Sequence, residues 1–366
     1  MKKIIKLNFL ILLTLFVISC TTNAQDITKS PVPPVPYTHT DKAPTNPSLP
    51  LASETQMAQT QKLPAEPVAP IRSVTQKITK NVVSTQIQET KYPLTIIRTD
   101  NKEIKINEAP SKIIAFDSAA VEMLYSIGAG DKIIGTHSFV NYPNDTENIT
   151  KVGDAFNINM ETILTLDSDL FYIFFERYVG ELESNNLKVI YEKSLNDNIE
   201  NIPERILMWG KIVNKNNEAH KVASTFEKKY SNIKTFFNNY NEGPSIFYDT
   251  GSLWTPGHDT LVGNTLDLLR LQNIAKDVSG YEQFSKEVLI KKDPQIIITA
   301  DPDFFYKNKE FQNMTAVKNK RILTTKSDSL SIAGPRFIDG IEELIQIIYS
   351  PRFIKYIHDD KGAKEN

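Results

Sequence analysis

From Tyr92 onward, short apolar runs alternate with stretches whose apolar residues recur every third or fourth position. Leu94-Thr95-Ile96-Ile97-Arg98-Thr99 and Lys105-Ile106, separated by the turn-forming pair Asp100-Asn101, predict a small hairpin. Lys112-Ile113-Ile114-Ala115-Phe116 predicts a short buried strand. Ala119 to Ile127 places Val121, Leu124 and Tyr125 on one helical face, and Ile133-Ile134-Gly135 predicts the next strand. Strands alternating with helices in this way argue for a parallel α/β sheet.

The plan occurs twice. The run from Asn159 to Tyr172 aligns without gaps to the run from Ser285 to Ile298. Each reads as an N-cap residue, a glutamate in the first turn (Glu161, Glu287), a short helix, a turn and a buried strand. Upstream, Ile113 to Phe116 and the helix around Glu122-Met123-Leu124 are echoed by Ser245-Ile246-Phe247-Tyr248 and the helix around Asp267-Leu268-Leu269. Two copies of one unit predict two pseudo-equivalent lobes.

Between the copies, Ile199 to Asn239 is helical in pattern, with Pro203 and the polar run Asn214-Lys215-Asn216-Asn217 dividing it into two helices. The second carries Val222, Phe226, Tyr230, Ile233 and Phe237 at helical spacing. At 1.5 Å per residue it reaches about 30 Å, enough to bridge two lobes with little hinge motion. The expected fold class is therefore α/β: two Rossmann-like lobes with parallel sheets, joined by a single long helix, with a ligand cleft between them. The expected boundaries are an N-terminal lobe over 92–217, a linking helix over 218–240, a C-terminal lobe over 241–358 and a polar tail over 359–366.

The segment before the lobes has a different composition. Lys2, Lys3 and Lys6 precede the apolar run Leu7 to Ile18. That run is shorter than the roughly 20 residues a membrane span needs, so 1–20 reads as an export signal. Val17-Ile18-Ser19-Cys20 resembles the lipobox of bacterial lipoproteins, which makes Cys20, the sole cysteine, the expected lipidation (palmitate) site. Residues 21–91 hold ten of the chain's 20 prolines between Pro31 and Pro70, and no glycine occurs before Gly128. This is the composition of a stiff tether that cannot bury enough apolar surface to fold, with a reach of about 45 Å. The expected location is extracytoplasmic, held to the membrane by lipid alone. A formal net charge of −2 with no basic stripe argues against nucleic acid as a partner. No Gly-x-Ser-x-Gly elbow, His-Glu-x-x-His pair or Walker loop occurs, so the chain is not expected to be an enzyme.

Taken in order, Lys112 to Phe116, Glu122 to Asp131, Asn141-Tyr142-Pro143, Val152-Gly153-Asp154, Asn159 to Ile163, Lys292 to Ile298 and Gly334-Pro335-Arg336 resemble the cobalamin- and ferric-siderophore-binding family of ABC-importer solute-binding proteins. The resemblance runs from about Ile113 to Pro351. It implies two α/β lobes on one long helix, a shallow cleft, no catalysis and no cofactor beyond a bound metal chelate. The implied cargo is a ferric siderophore or cobalamin, with haem, a free metal ion or a non-transport envelope role as alternatives. The implied partner is an ABC permease dimer, met by a monomeric binding protein. The resemblance also gives the repeated glutamates a task, since the family docks one glutamate per lobe on permease arginines and these match Glu161 and Glu287. From position alone, each equally suits the first turn of a helix, where the dipole favours a negative charge.

Ligands of open parallel sheets meet the loops beyond the strand carboxyl ends. Those loops are expected to include Asp117-Ser118, His137 to Tyr142, Asp154-Ala155-Phe156, Phe175 to Tyr178, Thr250 to His258, Ser279 to Phe284, Asp303 to Tyr306 and Ser329 to Ser331. The candidate ligand-binding residues are Phe139, Tyr142, Phe156, Arg177, Tyr178, Trp254, His258, Tyr281 and Tyr306. Flat rings with polar tips suit a large, partly planar chelate, and Arg177 suits a carboxylate or an anionic metal shell. Phe139, Phe156 and Phe305 fit equally as loop anchors packed on the core, and Arg336 is expected to tie its loop to the C-terminal helix. His137 and His258, one per lobe, fit either an axial metal position or ordinary hydrogen bonding. No set of His, Asp or Glu with the spacing of a bare metal site is discernible.

Overall fold

The computed structural model describes residues 88–349 apart from 155 and 195–197. The expected export signal, Cys20, the expected tether up to residue 87, His39, His358 and the expected polar tail lie outside the described residues. The chain opens with an antiparallel hairpin, β1 (Leu94–Ile97) and β2 (Glu103–Ile106). The N-terminal lobe follows, with β3 (Ile113–Phe116), α1 (Ser118–Ser126), β4 (Ile133–Thr136), β5 (Thr150–Lys151), α2 (Met160–Thr165), β6 (Leu170–Ile173), α3 (Val179–Ser184) and β7 (Val189–Tyr191). Its five strands lie parallel in the order β5-β4-β3-β6-β7.

Two helices then lead out of the lobe, α4 (Asn201–Ile212) and α5 (Asn216–Asn238). The expected polar break falls between them, and Pro203 sits in the first turn of α4, where backbone N–H groups lack helical acceptors in any case. The 23-residue α5 is about 35 Å long. The C-terminal lobe comprises β8 (Ser245–Tyr248), β9 (Trp254–Pro256), α6 (Leu261–Leu268), β10 (Gln272–Asn273), β11 (Tyr281–Gln283), α7 (Lys286–Lys292), β12 (Ile296–Ile298), α8 (Pro302–Lys307), α9 (Thr315–Lys318), β13 (Ile322–Leu323) and α10 (Phe337–Ile348). Strands β10-β8-β12-β13 form a parallel sheet, while β9 and β11 make a separate antiparallel pair.

Strand periodicity divides the core. Alternate residues along a strand point to opposite faces. Ile114, Phe116, Phe171 and Ile173 enter a core private to the first lobe, and Phe247, Ile297 and Ile322 one private to the second. Their neighbours Ile113, Ala115, Leu170 and Tyr172 join Ile246, Tyr248, Ile296 and Ile298 in one apolar core shared with α1, α4, α5, α6 and α10. The linking helix contributes Ala219, Ala223, Phe226, Ile233 and Phe237 to it. The lobes are thus joined by a continuous packed interior as well as by a helix, and close packing resists bending.

Candidate functional site

The strand order of the first sheet reverses beside β3: the chain steps through β4 to β5 on one side, then continues with β6 and β7 on the other. A crevice at such a reversal, beyond the carboxyl ends of the strands, is the ligand position of open parallel sheets. Asp117 follows β3 and Phe174 follows β6, and both line a cavity of about 220 Å³. Ser331, Ile332 and Ala333 of the other lobe close it, so the cavity lies between the lobes.

The cavity carries an ion network. Arg205 Nη1 donates to the Tyr172 hydroxyl at 2.7 Å, and its Nη2 lies 3.2 Å from Glu192 Oε2. Burial raises the Glu192 carboxyl above its ordinary pKa, against the pull of Arg205, and raises the Tyr172 phenol as well. Asp117 accepts from the Ala119 amide at 3.0 Å, which caps α1. Burial holds its carboxyl above the usual range despite that bond and the charge of Arg205. His137 is 3% exposed, with Nε2 3.3 Å from Ser118 Oγ and no hydrogen-bond partner at Nδ1. Burial, aided by the charge of Lys151, lowers its pKa to about 4, so the ring is neutral near pH 7. The cavity thus sets polar groups among apolar walls of Ala119, Ala120, Met123, Phe174 and Ile332, and Arg205, the cation among its lining residues, is paired with Glu192.

Sequence reasoning placed Asp117, Ser118, His137 and Ser331 on the cleft loops, and all four line this cavity. Tyr172 and Arg205 were missed because they lie within a strand and a helix. A signal existed for Arg205: it shares a helical face with the buried Ile202 and Trp209, where a lone charge is out of place.

None of the nine candidate ligand-binding residues lines this cavity. Phe139 and Tyr142 are exposed on the segment after β4, as are Tyr281 on β11 and Tyr306 on α8. In the first lobe, the Tyr178 hydroxyl donates to the Phe156 carbonyl at 2.5 Å. The Arg177 guanidinium lies over the rings of Phe175 and Tyr178, 5.2 and 4.6 Å from their centroids. That stacking presents a fixed cation at the surface of an aromatic cluster. Trp254 is half-buried in β9, opposite Gln283. The His258 ring is tied to its own lobe, with Nδ1 donating to the Val278 carbonyl at 2.8 Å.

Three expected loops hold regular elements: Thr250 to His258 contains β9, Ser279 to Phe284 contains β11, which pairs with it, and Asp303 to Tyr306 is the body of α8. Asp301 accepts from the Phe304 amide at 3.2 Å, and Pro302 occupies the first helical position, a start signal that an aromatic-rich stretch obscured. Helical geometry turns Phe305 fully into the core and leaves Phe304 and Tyr306 partly exposed. Among the described residues, no group of three or more His, Cys, Asp or Glu is placed to hold a bare metal ion, and no helix is long and apolar enough to cross a membrane.

Glu161 and Glu287 are both exposed, in the first turns of α2 and α7. The helices start alike: Asn159 accepts from the Thr162 amide at 3.0 Å, and Ser285 from the Val288 amide at 3.2 Å. Each helix leads back into a strand of a parallel sheet, so its N-terminus lies at the carboxyl edge of its own sheet, beside the cleft loops.

Two parallel α/β lobes facing each other across a cavity, with one packed core fixing them, define a solute-binding architecture. The model of the periplasmic binding protein family matches residues 113–329, and the chain belongs to that family. It is 26% identical over 278 residues to the uncharacterized ABC transporter substrate-binding lipoprotein YvrC of Bacillus subtilis, covering 72% of this chain and 87% of that one. Among solved structures, one described as a possible iron-binding, periplasmic solute-binding protein of Staphylococcus epidermidis matches with a TM-score of 0.57 at 26% identity, over 66% of this chain and all of that one. The periplasmic vitamin B12 binding protein BtuF of Vibrio cholerae matches with a TM-score of 0.59 at 23% identity, over 66% and 97% respectively, a likeness of fold.

Proposed function

We propose that this chain is the lipid-anchored solute-binding component of an ABC importer, and that it captures a metal chelate, either a ferric siderophore, cobalamin or haem. The observation that carries this reading is a small crevice between the lobes, where Asp117, His137, Tyr172 and Arg205 stand among apolar walls, with exposed aromatic rings and the stacked Arg177 cation outside it. The cavity, at about 220 Å³, is below the roughly 300–1,000 Å³ of sites that enclose a whole drug-sized molecule. It suits one polar substituent of a larger cargo, whose body would lie against Phe139, Phe156, Tyr178, Tyr281 and Tyr306. Arg177, held on Phe175 and Tyr178, suits the anionic edge of a chelate. The names of the relatives support the same cargo class, since they include vitamin B12 binding and iron binding. Capture by ring contact and one oriented cation requires no covalent chemistry. The shared core favours binding without large lobe closure, so a rigid protein would be read by its permease through cargo seated across both lobes.

Delivery would use Glu161 and Glu287 as two anionic points set against basic residues of a two-fold symmetric permease, an arrangement that steers encounter and fixes register. Cys20 would carry the lipid.

The deciding experiment is a fluorescence titration of the full chain with cyanocobalamin, haemin and a ferric siderophore panel. Trp209 packs on Tyr172 of the cavity wall and Trp254 stands in β9, so the summed tryptophan emission would report a coloured cargo. One chelate class should quench saturably, and the matching cells should lose its uptake when Glu161→Ala and Glu287→Ala are combined, with quenching unchanged. Tight binding of a bare ion without chelator, or silence toward the whole panel, would overturn the cargo assignment.

A further inference from the structure

The large apolar side chains left exposed among the described residues fall into two groups. Phe139, Tyr142, Tyr281, Phe304 and Tyr306 are aromatic and belong to cleft segments. Leaving aside Ile97 on the hairpin, the remainder are aliphatic and sit on α2 and α7: Leu164 at 45% exposed, Val288 at 41% and Ile290 at 38%. Scattered exposed aliphatics need no explanation. Leu164 and Ile290, however, occupy equivalent positions of the internal repeat. Leu164 aligns with Ile290 as Glu161 aligns with Glu287. Each follows its glutamate by three residues, the spacing that puts two side chains on one helical face.

The packing of the two helices is equivalent too. Each buries one apolar residue completely in its lobe, Ile163 in α2 and Leu289 in α7. In each, the next residue is the exposed aliphatic one. That exposed position could carry a polar residue with no loss of core packing, and neither copy does so.

We propose that Leu164 and Ile290 form the apolar half of a two-point docking surface, each entering an apolar socket beside the basic residue that receives the glutamate of the same lobe. This rests on the docking role given above to Glu161 and Glu287. The occupant is a two-fold symmetric membrane permease, because one carboxylate and one aliphatic knob recur in the same order and spacing on both lobes. The division of labour follows from range. The carboxylates act at a distance and set the encounter rate, whereas the aliphatic contacts form only on contact and slow dissociation.

The test is uptake of cyanocobalamin, haemin, a ferric hydroxamate and molybdate by source cells that lack the chromosomal copy and express variants of the full chain. Leu164→Ser and Ile290→Ser should each weaken the apparent affinity for the permease about tenfold, equivalent to about 1.4 kcal/mol, and together should nearly abolish uptake. Tryptophan quenching and the melting temperature should stay at wild-type values, as should the uptake of the matched surface control Ile97→Ser. Normal uptake by the Leu164/Ile290 double variant, with uptake lost in the Glu161/Glu287 double variant, overturns this inference and leaves the docking reading standing. Normal uptake by both double variants removes the docking reading and this inference with it. Sedimentation supplies the remaining arm: a dimer of the purified chain that the serine variants dissolve would assign the surface to self-association instead.

Discussion

Arg336 of the C-terminal lobe reaches across to Glu122 on α1 of the N-terminal lobe, with Nη2 2.5 Å from Oε1. Its guanidinium also lies 3.6 Å from the centroid of the Tyr142 ring and pairs with Asp328 at 3.2 Å. A Cβ on Gly334 would stand 2.7 Å from Glu122 Oε2, so the bare glycine lets the Gly334-Pro335-Arg336 segment approach so closely. Arg336 was expected to tie its own loop to the C-terminal helix. It does hold that loop, through Asp328, and it also clasps the lobes together.

Removing one side of the clasp should be costly. Glu122 is 4% exposed, and burial already raises its carboxyl pKa against the opposing charge of Arg336. Arg336→Ala strands a buried carboxylate and should lower stability by about 3 kcal/mol. Arg336→Ala combined with Glu122→Leu should recover much of that loss. Urea midpoints check both, and equal losses in the single and double variants would show that the pair is not coupled.

His137 should make the protein acid-sensitive. Its folded pKa of about 4 lies below the ordinary 6.5 because burial disfavours the charged ring. Above pH 6.5 neither state holds the proton and the full contribution is present. As pH falls from 6.5 to about 4 the unfolded chain takes up a proton that the folded one refuses, so stability is lost. The size is about 3 kcal/mol. His137→Phe should flatten the fall in melting temperature across that window; a fall as steep as wild type would assign the sensitivity to other groups.

The crossing of α4 and α5 depends on one missing side chain. A Cβ on Gly210 would lie 2.3 Å from the Ala219 Cβ, closer than two carbon atoms can stand. Gly210→Ala should therefore push the linking helix off α4 and cost about 1–3 kcal/mol, despite the better helix propensity of alanine. Thermal denaturation gives the sign directly.

Arg177→Ala should weaken capture of an anionic chelate about tenfold and reduce the sensitivity of that capture to salt, with melting unchanged because the guanidinium is exposed. Fluorescence titration at two ionic strengths separates this from a packing effect, which salt would not alter.

What the chain determined by itself was the repeat and its consequences. Continuous apolar runs such as Ile113 to Phe116 and Ile296 to Ile298, helical spacing from Val222 to Phe237, and cap residues at Asn159 and Ser285 are local signals, readable because each depends on neighbours within a turn or a strand. The strands, the two lobes, the linking helix and the matched glutamates followed from them. Where two local signals competed, as between the aromatic run and the Asp301-Pro302 start of α8, the reading failed.

Only the tertiary structure decided which side chains share the cleft. Arg205, Tyr172 and Glu192 come from a helix, a strand and a strand end, and no spacing in the sequence announces that they meet. The Glu122 to Arg336 clasp joins residues 214 positions apart. Such contacts depend on how two sheets are set against one core, a property of packing summed over the whole interior.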